Sequence, residues 1–247
     1  MTEPLISFRG VSKRFEGAAK YAVRDLSFDV SAGELVAVVG QTGCGKSTMF
    51  NLLTGLLQPT VGDVRVAGHD PFREFNALRG KFAVVFQSDR LLPWRTALHN
   101  VAYGLELLHR PAAERLDVAR KWLKQLGLAG HEDDYPHALS GGMRQRVSIA
   151  RAFAVNPDIL LCDEPFSALD ELTAESLRNE FAGLIRATGK TAIFITHSIN
   201  EAIALGSRVL VFRPPAQIAM QAWPAQAQTE ERRALMRESI LAAMTAQ

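Results

Sequence analysis

The hydrophobic pattern contains five short apolar runs that are nearly continuous instead of alternating. Runs of this kind are typical of parallel strands buried on both faces, so we predict an open α/β sheet. Four of the runs are followed by a polar or glycine-rich group, and such groups at the carboxyl ends of parallel strands would converge on one site. The groups begin at Gly40, Gln87, Asp163 and His197, and the runs cover residues 35–39, 82–86, 159–162, 191–196 and 209–212.

Weaker patterns predict the remaining elements. Shorter apolar segments at residues 6–8, 26–30 and 63–67 indicate a smaller antiparallel layer. Helical spacing over residues 97–127, interrupted at Pro111, predicts a helical insert between the second and third core strands. The tail from Thr229 to Ala246 opens with a candidate N-cap and acidic residues, which predicts a terminal helix.

Composition narrows the class of protein. The chain has 247 residues, 47% apolar and 22% charged, which is enough to bury a substantial core. Its formal net charge of +2 is small, so no nucleic acid partner is predicted. Two cysteines cannot build a disulfide framework and suit a reducing compartment. The N-terminal residues do not resemble a signal peptide, and no long apolar window is present, so we expect a partner to supply any membrane span.

The segment GQTGCGKST lies between an apolar strand and a helix-like run, and it matches the phosphate loop G-x-x-x-x-G-K-[ST]. Its glycines would let backbone N–H groups face phosphates, Lys46 would reach the outer phosphates, and Ser47 would offer its hydroxyl to Mg²⁺. We therefore predict nucleoside triphosphate binding. We also expect the helix N-terminus and Lys46 to lower the pKa of the Cys44 thiol. The predicted nucleotide contacts are Gly40, Gln41, Thr42, Gly43, Cys44, Gly45, Lys46, Ser47 and Thr48.

The segment ILLCDEP places two carboxylates directly after a buried strand. Asp163 would hold magnesium through water, and Glu164 would accept a proton from an attacking water. The amide of Gln87 would touch the metal and the water, and His197 would contact the γ-phosphate. Taken singly, each of these residues is also compatible with a solvated loop or a structural role. Their shared position after strands, in a chain with a phosphate loop, favours the catalytic interpretation.

The segment LSGGMRQR reads as a second anion-binding turn. Ser140, Gly141 and Gly142 precede an amphipathic helix, and its first N–H groups with the Ser140 hydroxyl would bind a phosphate. The alternative is an ordinary N-cap before a core helix. The turn contains no lysine, so it does not repeat the first phosphate loop.

These motifs, together with SALD at residues 167–170, occur in one order and closely resemble the ATPase subunit of ABC transporters over nearly the whole chain. The resemblance implies an α/β P-loop NTPase with a RecA-like core, an antiparallel β subdomain and an inserted helical subdomain. It implies a single domain, residues 1–247, with the β layer at 1–34 and 60–70, the core at 35–59, 71–87 and 157–215, the helical subdomain with the signature at 88–156, and a C-terminal helical tail at 216–247.

The resemblance also implies the reaction, ATP hydrolysis with Mg²⁺ in a head-to-tail dimer. The phosphate loop of one subunit would face the signature turn of a second copy or a paralogous ATPase. Adenine would stack on Phe15, or alternatively on Tyr21. The implied catalytic residues are Glu164, His197, Gln87 and Lys46; the implied magnesium contacts are Ser47, Gln87 and Asp163; and the implied contacts across the dimer are Ser140, Gly141, Gly142 and Asp170.

A narrower likeness concerns the transported solute. The run VVFQSDRLLPWRTALHNVAYGLE and Met143 in the signature are similar to importers for nitrate, sulfonates and taurine. This implies a peripheral protein on the cytoplasmic face of the inner (plasma) membrane, a permease partner and, indirectly, a periplasmic or lipoprotein solute-binding protein. The LLPW segment, residues 91–94, would meet the permease or, alternatively, pack the helical insert on the core. The alternatives for the whole chain are an exporter ATPase and a soluble ABC ATPase that takes no part in transport.

Overall fold

A computed structural model describes residues 3–245, which divide into two compact units. The first unit contains the chain up to Leu78 and again from Ile185, and the second runs from Arg79 to Leu184. The strands are β1 Ile6–Lys13, β2 Val23–Val30, β3 Leu35–Gly40, β4 Val61–Val66, β5 Phe82–Val85, β6 Ile159–Asp163, β7 Thr191–Thr196, β8 Arg208–Arg213 and β9 Gln217–Ala222. The helices are α1 Lys46–Leu53, α2 Ala97–Leu107, α3 Ala112–Gln125, α4 Gly141–Ala154, α5 Glu171–Thr188, α6 Ile199–Leu205 and α7 Glu230–Thr245.

The first unit contains the predicted antiparallel layer. Strands β2, β1 and β4 pair antiparallel in that order. Phe8 and Phe28 lie opposite each other in the register and stack with ring centroids 4.7 Å apart. Each strand of the layer has both buried and exposed positions, as expected for an antiparallel sheet with one solvated face.

The same unit contains parallel strands that carry the phosphate loop. Strand β3 lies between β7 and β8 and is parallel to both, and all six of its residues are buried. A strand with parallel neighbours on both sides is expected to be apolar throughout, which explains the continuous run at 35–39. The carboxyl end of β3, where the phosphate loop begins, is thereby fixed by hydrogen bonds on both sides.

The second unit pairs β5 with β6 in parallel, packs α2, α3 and α4 against one another, and contains an aromatic cluster. Phe153 lies within 4.9 Å of Trp122 and 6.0 Å of Phe181, and Phe181 lies 5.8 Å from Phe166, measured between ring centroids. The predicted helical insert is confirmed as α2 and α3, which are separated by residues 108–111 around the predicted break at Pro111.

The C-terminal segment differs from the expectation of a purely helical tail. Residues 217–222 form β9, which pairs antiparallel with β8, before the chain reaches α7. This edge strand is mostly half-buried and lacks a clear alternation, so its pattern gave no strand signal. The terminal helix itself is confirmed, with the Thr229 hydroxyl accepting the Arg232 N–H at 3.3 Å. Ala246, included in the predicted helix, and Met1 and Gln247, the ends of the predicted domain, lie outside the described residues.

Candidate functional site

The phosphate loop joins the end of β3 to the start of α1 through two glycines in the left-handed region. Gly43 and Gly45 have φ values of 78° and 110°. A Cβ atom on Gly45 would overlap the Ala22 carbonyl oxygen and lie 2.7 Å from the Ala216 Cβ. The second glycine of the motif is therefore required by conformation and by close backbone packing.

Lys46 is buried beneath this loop. Its ammonium group donates hydrogen bonds to the carbonyl oxygens of Gly40 at 2.7 Å and Gln41 at 3.0 Å. Ser47 is exposed at the N-terminus of α1, and the first turn of this helix contains no acidic residue. The lysine charge and the positive end of the helix dipole therefore act in the same direction and favour an anion.

The expectation for Cys44 is wrong. The thiol is 1% exposed and lies where a Cβ on Gly40 would be 2.6 Å from its sulfur. Burial raises the pKa of the Cys44 thiol, and the nearby Lys46 charge opposes this shift without overcoming it. The sequence placed the cysteine in the phosphate loop but did not reveal that its side chain turns into the core.

A turn near the C-terminus supports the phosphate loop from behind. The Ala216 N–H donates to the Cys44 carbonyl oxygen at 2.7 Å, and Ala216 also forms a parallel bridge with Val23. This residue belongs to the segment RPPAQI, whose role the sequence did not indicate. The segment adds a backbone hydrogen bond to the loop that carries Lys46.

The two candidate adenine-stacking residues lie in the loop between β1 and β2. Phe15 is 44% exposed and has the Lys13 ammonium 5.6 Å from its ring centroid. Tyr21 is half-buried, with the Arg14 guanidinium 5.5 Å from its centroid. Tyr21 directly precedes Ala22, which packs against the phosphate loop. The exposed face of Phe15 and the closer position of Tyr21 leave both residues as candidates.

The structure brings His197 to the phosphate-loop end of the first unit. Strands β3 and β7 are parallel, and Val39 is paired with Thr196. Gly40 and His197 therefore follow neighbouring positions at the same edge of the sheet. The His197 side chain is exposed at this edge.

The second unit brings the remaining strand-end residues together. In the parallel pair of β5 and β6, Val85 lies opposite Cys162. Gln87 therefore follows the end of one strand beside Asp163 and Glu164 at the end of the other. Glu164 has a φ of 48°, a left-handed conformation that is unfavourable for a residue with a Cβ and often occurs at functional sites.

Gln145, a residue that the sequence did not single out, joins these two strand ends. Its buried amide donates to the Pro165 carbonyl oxygen at 2.7 Å and to the Phe86 carbonyl oxygen at 3.3 Å. Pro165 directly follows Glu164, and Phe86 directly precedes Gln87. One side chain of α4 thus holds the backbone next to both predicted catalytic positions.

The signature turn forms the predicted N-cap of α4. The Ser140 hydroxyl accepts the Met143 N–H at 3.2 Å, while Ser140 and Gly141 are exposed. A Cβ on Gly142 would lie 2.9 Å from the Thr173 methyl group, so α4 and α5 approach closely there. The ordinary capping role is therefore present at this helix end, and its exposed first residues are accessible to an anion.

Asp170 caps the next helix and lies on the surface. Its carboxylate accepts the Thr173 N–H at 3.0 Å, and this hydrogen bond lowers the pKa of the Asp170 carboxyl. The group therefore stays ionised under mildly acidic conditions.

The segment after Gln87 is attached to α4 by two arginines. The Arg144 side chain donates from Nε to the Asp89 carboxylate at 3.0 Å and from Nη1 to the Leu139 carbonyl oxygen at 2.7 Å. Arg151 donates to the backbone carbonyls of Asp89 and Arg90 at 2.7 and 2.8 Å. The sequence predicts an amphipathic helix here but assigns no role to either arginine.

The parallel strands and the phosphate loop define a nucleotide-binding protein of the P-loop NTPase class. The chain matches the family model described as ABC transporter over residues 23–167, which is more than half of its length. It therefore belongs to the ABC transporter family and is an ATP-binding protein with ATPase activity of that family.

Individual relatives agree with this assignment. The chain is 42% identical over 215 residues to a taurine import ATP-binding protein of Yersinia pestis bv. Antiqua, covering 87% of this chain and 82% of that protein. It is 41% identical over 207 residues to a nitrate import ATP-binding protein of Synechococcus elongatus, covering 82% of this chain and 31% of that protein. The expected similarity to the nitrate, sulfonate and taurine group is confirmed.

A solved structure confirms the expected P-loop NTPase fold. The dimeric post-hydrolysis state of an ATP-binding cassette, bound to ADP and Pi, superposes with a TM-score of 0.77 and 32% sequence identity. The match covers 89% of this chain and 98% of that one. Within residues 3–245, the helices are all too short or too polar to cross a bilayer.

Proposed function

We propose that this chain is the ATP-binding subunit of an importer for a small organic or inorganic anion of the taurine, sulfonate or nitrate type. Two copies, or one copy and a paralogous ATPase, would hydrolyse MgATP between them and drive a permease. The observation that carries the dimeric site is the signature turn. It presents an exposed hydroxyl and a helix N-terminus for a phosphate, but it has no lysine of its own.

The division of roles follows from the chemistry of each group. Lys46 would exchange its hydrogen bonds to the Gly40 and Gln41 carbonyls for the outer phosphates, and loop N–H groups would hold the remaining oxygens. Glu164 would accept the proton of the attacking water, with its position fixed by the turn at Pro165. His197 would contact the γ-phosphate, and Phe15 or Tyr21 would stack on adenine.

The residues present fit a magnesium ion. The hydroxyl of Ser47, the carboxylate of Asp163 and the amide of Gln87 supply oxygen donors, which Mg²⁺ prefers. When bound, the ion would neutralise charge on the phosphates. Ser47 offers its exposed hydroxyl from the start of α1, while Asp163 ends β6 and is half-buried.

The geometry of the LLPW turn supports the proposal that this segment contacts the permease. The buried Asn100 amide accepts the Leu92 N–H at 2.7 Å and donates to the carbonyls of Leu92, Arg95 and Thr96. This fixed turn leaves Trp94 71% exposed. A large aromatic side chain held outward by a buried polar residue is the kind of anchor that dominates protein interfaces. The chain would then lie on the cytoplasmic face of the membrane, next to a permease served by a solute-binding protein.

Two substitutions test the dimeric reaction. Glu164→Gln should bind ATP but hydrolyse it at least about 100-fold more slowly, because the general base is lost. The variant should therefore accumulate as an ATP-bound dimer in size-exclusion chromatography. Hydrolysis at the normal rate would exclude Glu164 as the base.

Ser140→Arg tests which ATP the signature serves. ATP binding to a single subunit should persist, while dimer formation and hydrolysis should be lost. Ser239→Arg, at an exposed serine on α7, is the matched control and should keep both. Loss of ATP binding by the Ser140→Arg monomer would show that the signature contacts the ATP of its own subunit.

The importer assignment requires the permease. Reconstitution in vesicles with the cognate permease and solute-binding protein, followed by a screen of taurine, alkanesulfonates and nitrate, should show inward transport that depends on ATP. Trp94→Ala should retain the ATPase activity of the isolated subunit but lose solute-stimulated activity in the complex. Outward transport would assign the chain to the exporters instead, and ATPase activity that no permease alters would favour the soluble class.

A further inference from the structure

The turn that carries His197 is closed by a buried hydrogen-bond network around a glutamate. The Thr196 hydroxyl donates to the Glu201 carboxylate at 2.5 Å and accepts the Ser198 N–H at 3.0 Å. The Ser198 hydroxyl accepts the Glu201 N–H at 3.3 Å. His197 therefore lies between Thr196, which supplies this hydroxyl, and Ser198, whose N–H donates to it.

The supporting residues and the histidine differ in how far they are exposed to solvent. Thr196 is 1% exposed and Glu201 is 9% exposed, whereas the His197 side chain is exposed. A carboxylate withdrawn from water must be compensated by hydrogen bonds, and a short bond from a hydroxyl is a strong one. The position of Glu201 in the first turn of α6 adds a favourable interaction with the helix dipole.

The network also determines where α6 begins. Ser198 is the N-cap of this helix, and its carbonyl oxygen accepts the Ala202 N–H at 3.1 Å. At the other end of the turn, Thr196 is paired with Val39 of β3, the residue before the phosphate loop. The Glu201–Thr196 bond therefore ties the start of the helix to the strand that lies beside the loop.

We infer that Glu201 and Thr196 are positioning residues that hold His197 at the phosphate-loop edge of the sheet. They act through the backbone of the turn and not by contact with the nucleotide. This inference rests on the proposed role of His197 in contacting the γ-phosphate.

Thr196→Val is the informative substitution, because it keeps the shape of the side chain and removes the hydroxyl. A small displacement of a group that contacts the reacting phosphate should lower kcat about tenfold, with the KM for ATP changed by less than about twofold. Thr191→Val is the matched control on the same strand. Thr191 is 2% exposed, and its hydroxyl accepts the Gly33 N–H at 2.8 Å at the opposite end of β7. Both variants should lose thermal stability, but only Thr196→Val should lose kcat.

Further variants separate a positioning role from a general loss of stability. Thr196→Ser restores the hydroxyl and should recover most of the wild-type kcat. Glu201→Gln retains an acceptor for the Thr196 hydroxyl and should be less impaired than Glu201→Ala. In a His197→Ala background, Thr196→Val should cause no further fall in the residual kcat, because both changes act on the same contact.

The outcomes are distinguishable from those of the proposed function. If His197→Ala lowers kcat and Thr196→Val does not, the positioning role is wrong and the proposed function stands. If His197→Ala keeps the wild-type kcat, the proposed role of His197 is wrong, and the positioning role falls with it. Equal losses of kcat in Thr196→Val and Thr191→Val, or additive losses in the double variant with His197→Ala, would also overturn the inference.

Discussion

Replacing Gln145 by leucine removes the side chain that joins the two strand ends of the second unit. The substitution keeps a side chain of similar length on the buried side of α4. The carbonyl oxygen of Pro165 then loses a 2.7 Å donor in a buried environment, and the Phe86 carbonyl loses a longer one at 3.3 Å. Both effects act next to residues assigned to catalysis.

The expected free energy follows from the two hydrogen bonds. Leaving a buried carbonyl without its donor costs about 1–3 kcal/mol, and the longer bond adds about 0.5 kcal/mol. Burying the leucine side chain returns about 1 kcal/mol. The free energy of unfolding should therefore fall by about 1.5 kcal/mol. Since Glu164 and Gln87 lie on the loosened segments, kcat should also fall about tenfold, with a smaller change in the KM for ATP.

Tryptophan fluorescence during urea unfolding measures this loss in the unit concerned. Trp122 packs on Phe153 within the second unit, whereas Trp94 and Trp223 are exposed. Replacing those two by phenylalanine leaves Trp122 as the reporter, because the chain has three tryptophans. Gln125→Leu, at an exposed glutamine closing α3, is the matched control. A loss below about 0.5 kcal/mol with unchanged kcat would show that the two carbonyls do not depend on Gln145.

Four further predictions concern single residues. Burial raises the pKa of the Cys44 thiol, and only the thiolate reacts. A thiol reagent should therefore modify Cys44 at pH 7 at least about tenfold more slowly than a free thiol, at a rate that rises with pH. Reaction at the free-thiol rate would contradict this. Gly45→Ala should abolish ATP binding measured by calorimetry because its Cβ would overlap the Ala22 carbonyl, while Gly17→Ala, also at positive φ but with open space around it, should bind normally. Alanine substitutions of Asp89 and Arg144, singly and together, should give a coupling energy of about 0.5–1 kcal/mol in unfolding experiments, since the pair is partly exposed; additive effects would exclude the ion pair as a contributor. The lowered pKa of the Asp170 carboxyl means that its ionised form stabilises the fold above the ordinary pKa of about 4. The difference in Tm between wild type and Asp170→Ala should therefore shrink as the pH falls below that value. A difference in Tm that does not depend on pH would refute the role of the carboxylate.

The strands of the core were predictable because their burial leaves a simple signature. Strand β3 is apolar at every position except its final glycine, and β7 is buried along its whole length. Strand β9, by contrast, is a half-buried edge strand paired on one side with β8. Its hydrophobic pattern is weak because only one of its residues is fully buried. Edge position, which depends on the tertiary fold, is what the local pattern could not supply.

The candidate site also contains features that the sequence predicts and features that it does not. The phosphate loop, the carboxylates after β6 and the signature turn follow spacing rules that reflect local backbone geometry, so the sequence identifies them. The direction of a side chain within a loop depends on distant packing, and this is why the prediction for Cys44 failed. The Cys44 thiol lies in the core, and the Cys44 backbone is bonded to Ala216, a residue far along the chain.

The residues missed by the sequence share a physical property that explains why they were missed. Gln145, Thr196 and Glu201 are buried polar residues whose side chains hydrogen-bond to other groups of the protein. The motif residues Ser140, Gln87 and His197 are exposed, so each side chain can reach a ligand. Burying a polar side chain costs free energy unless it forms hydrogen bonds. A buried, hydrogen-bonded residue beside an exposed motif residue therefore indicates that it holds the motif in its geometry. Substitutions of Gln145, Thr196 and Glu201 should therefore alter kcat through position, whereas substitutions of Ser140, Gln87 and His197 should remove the contact itself.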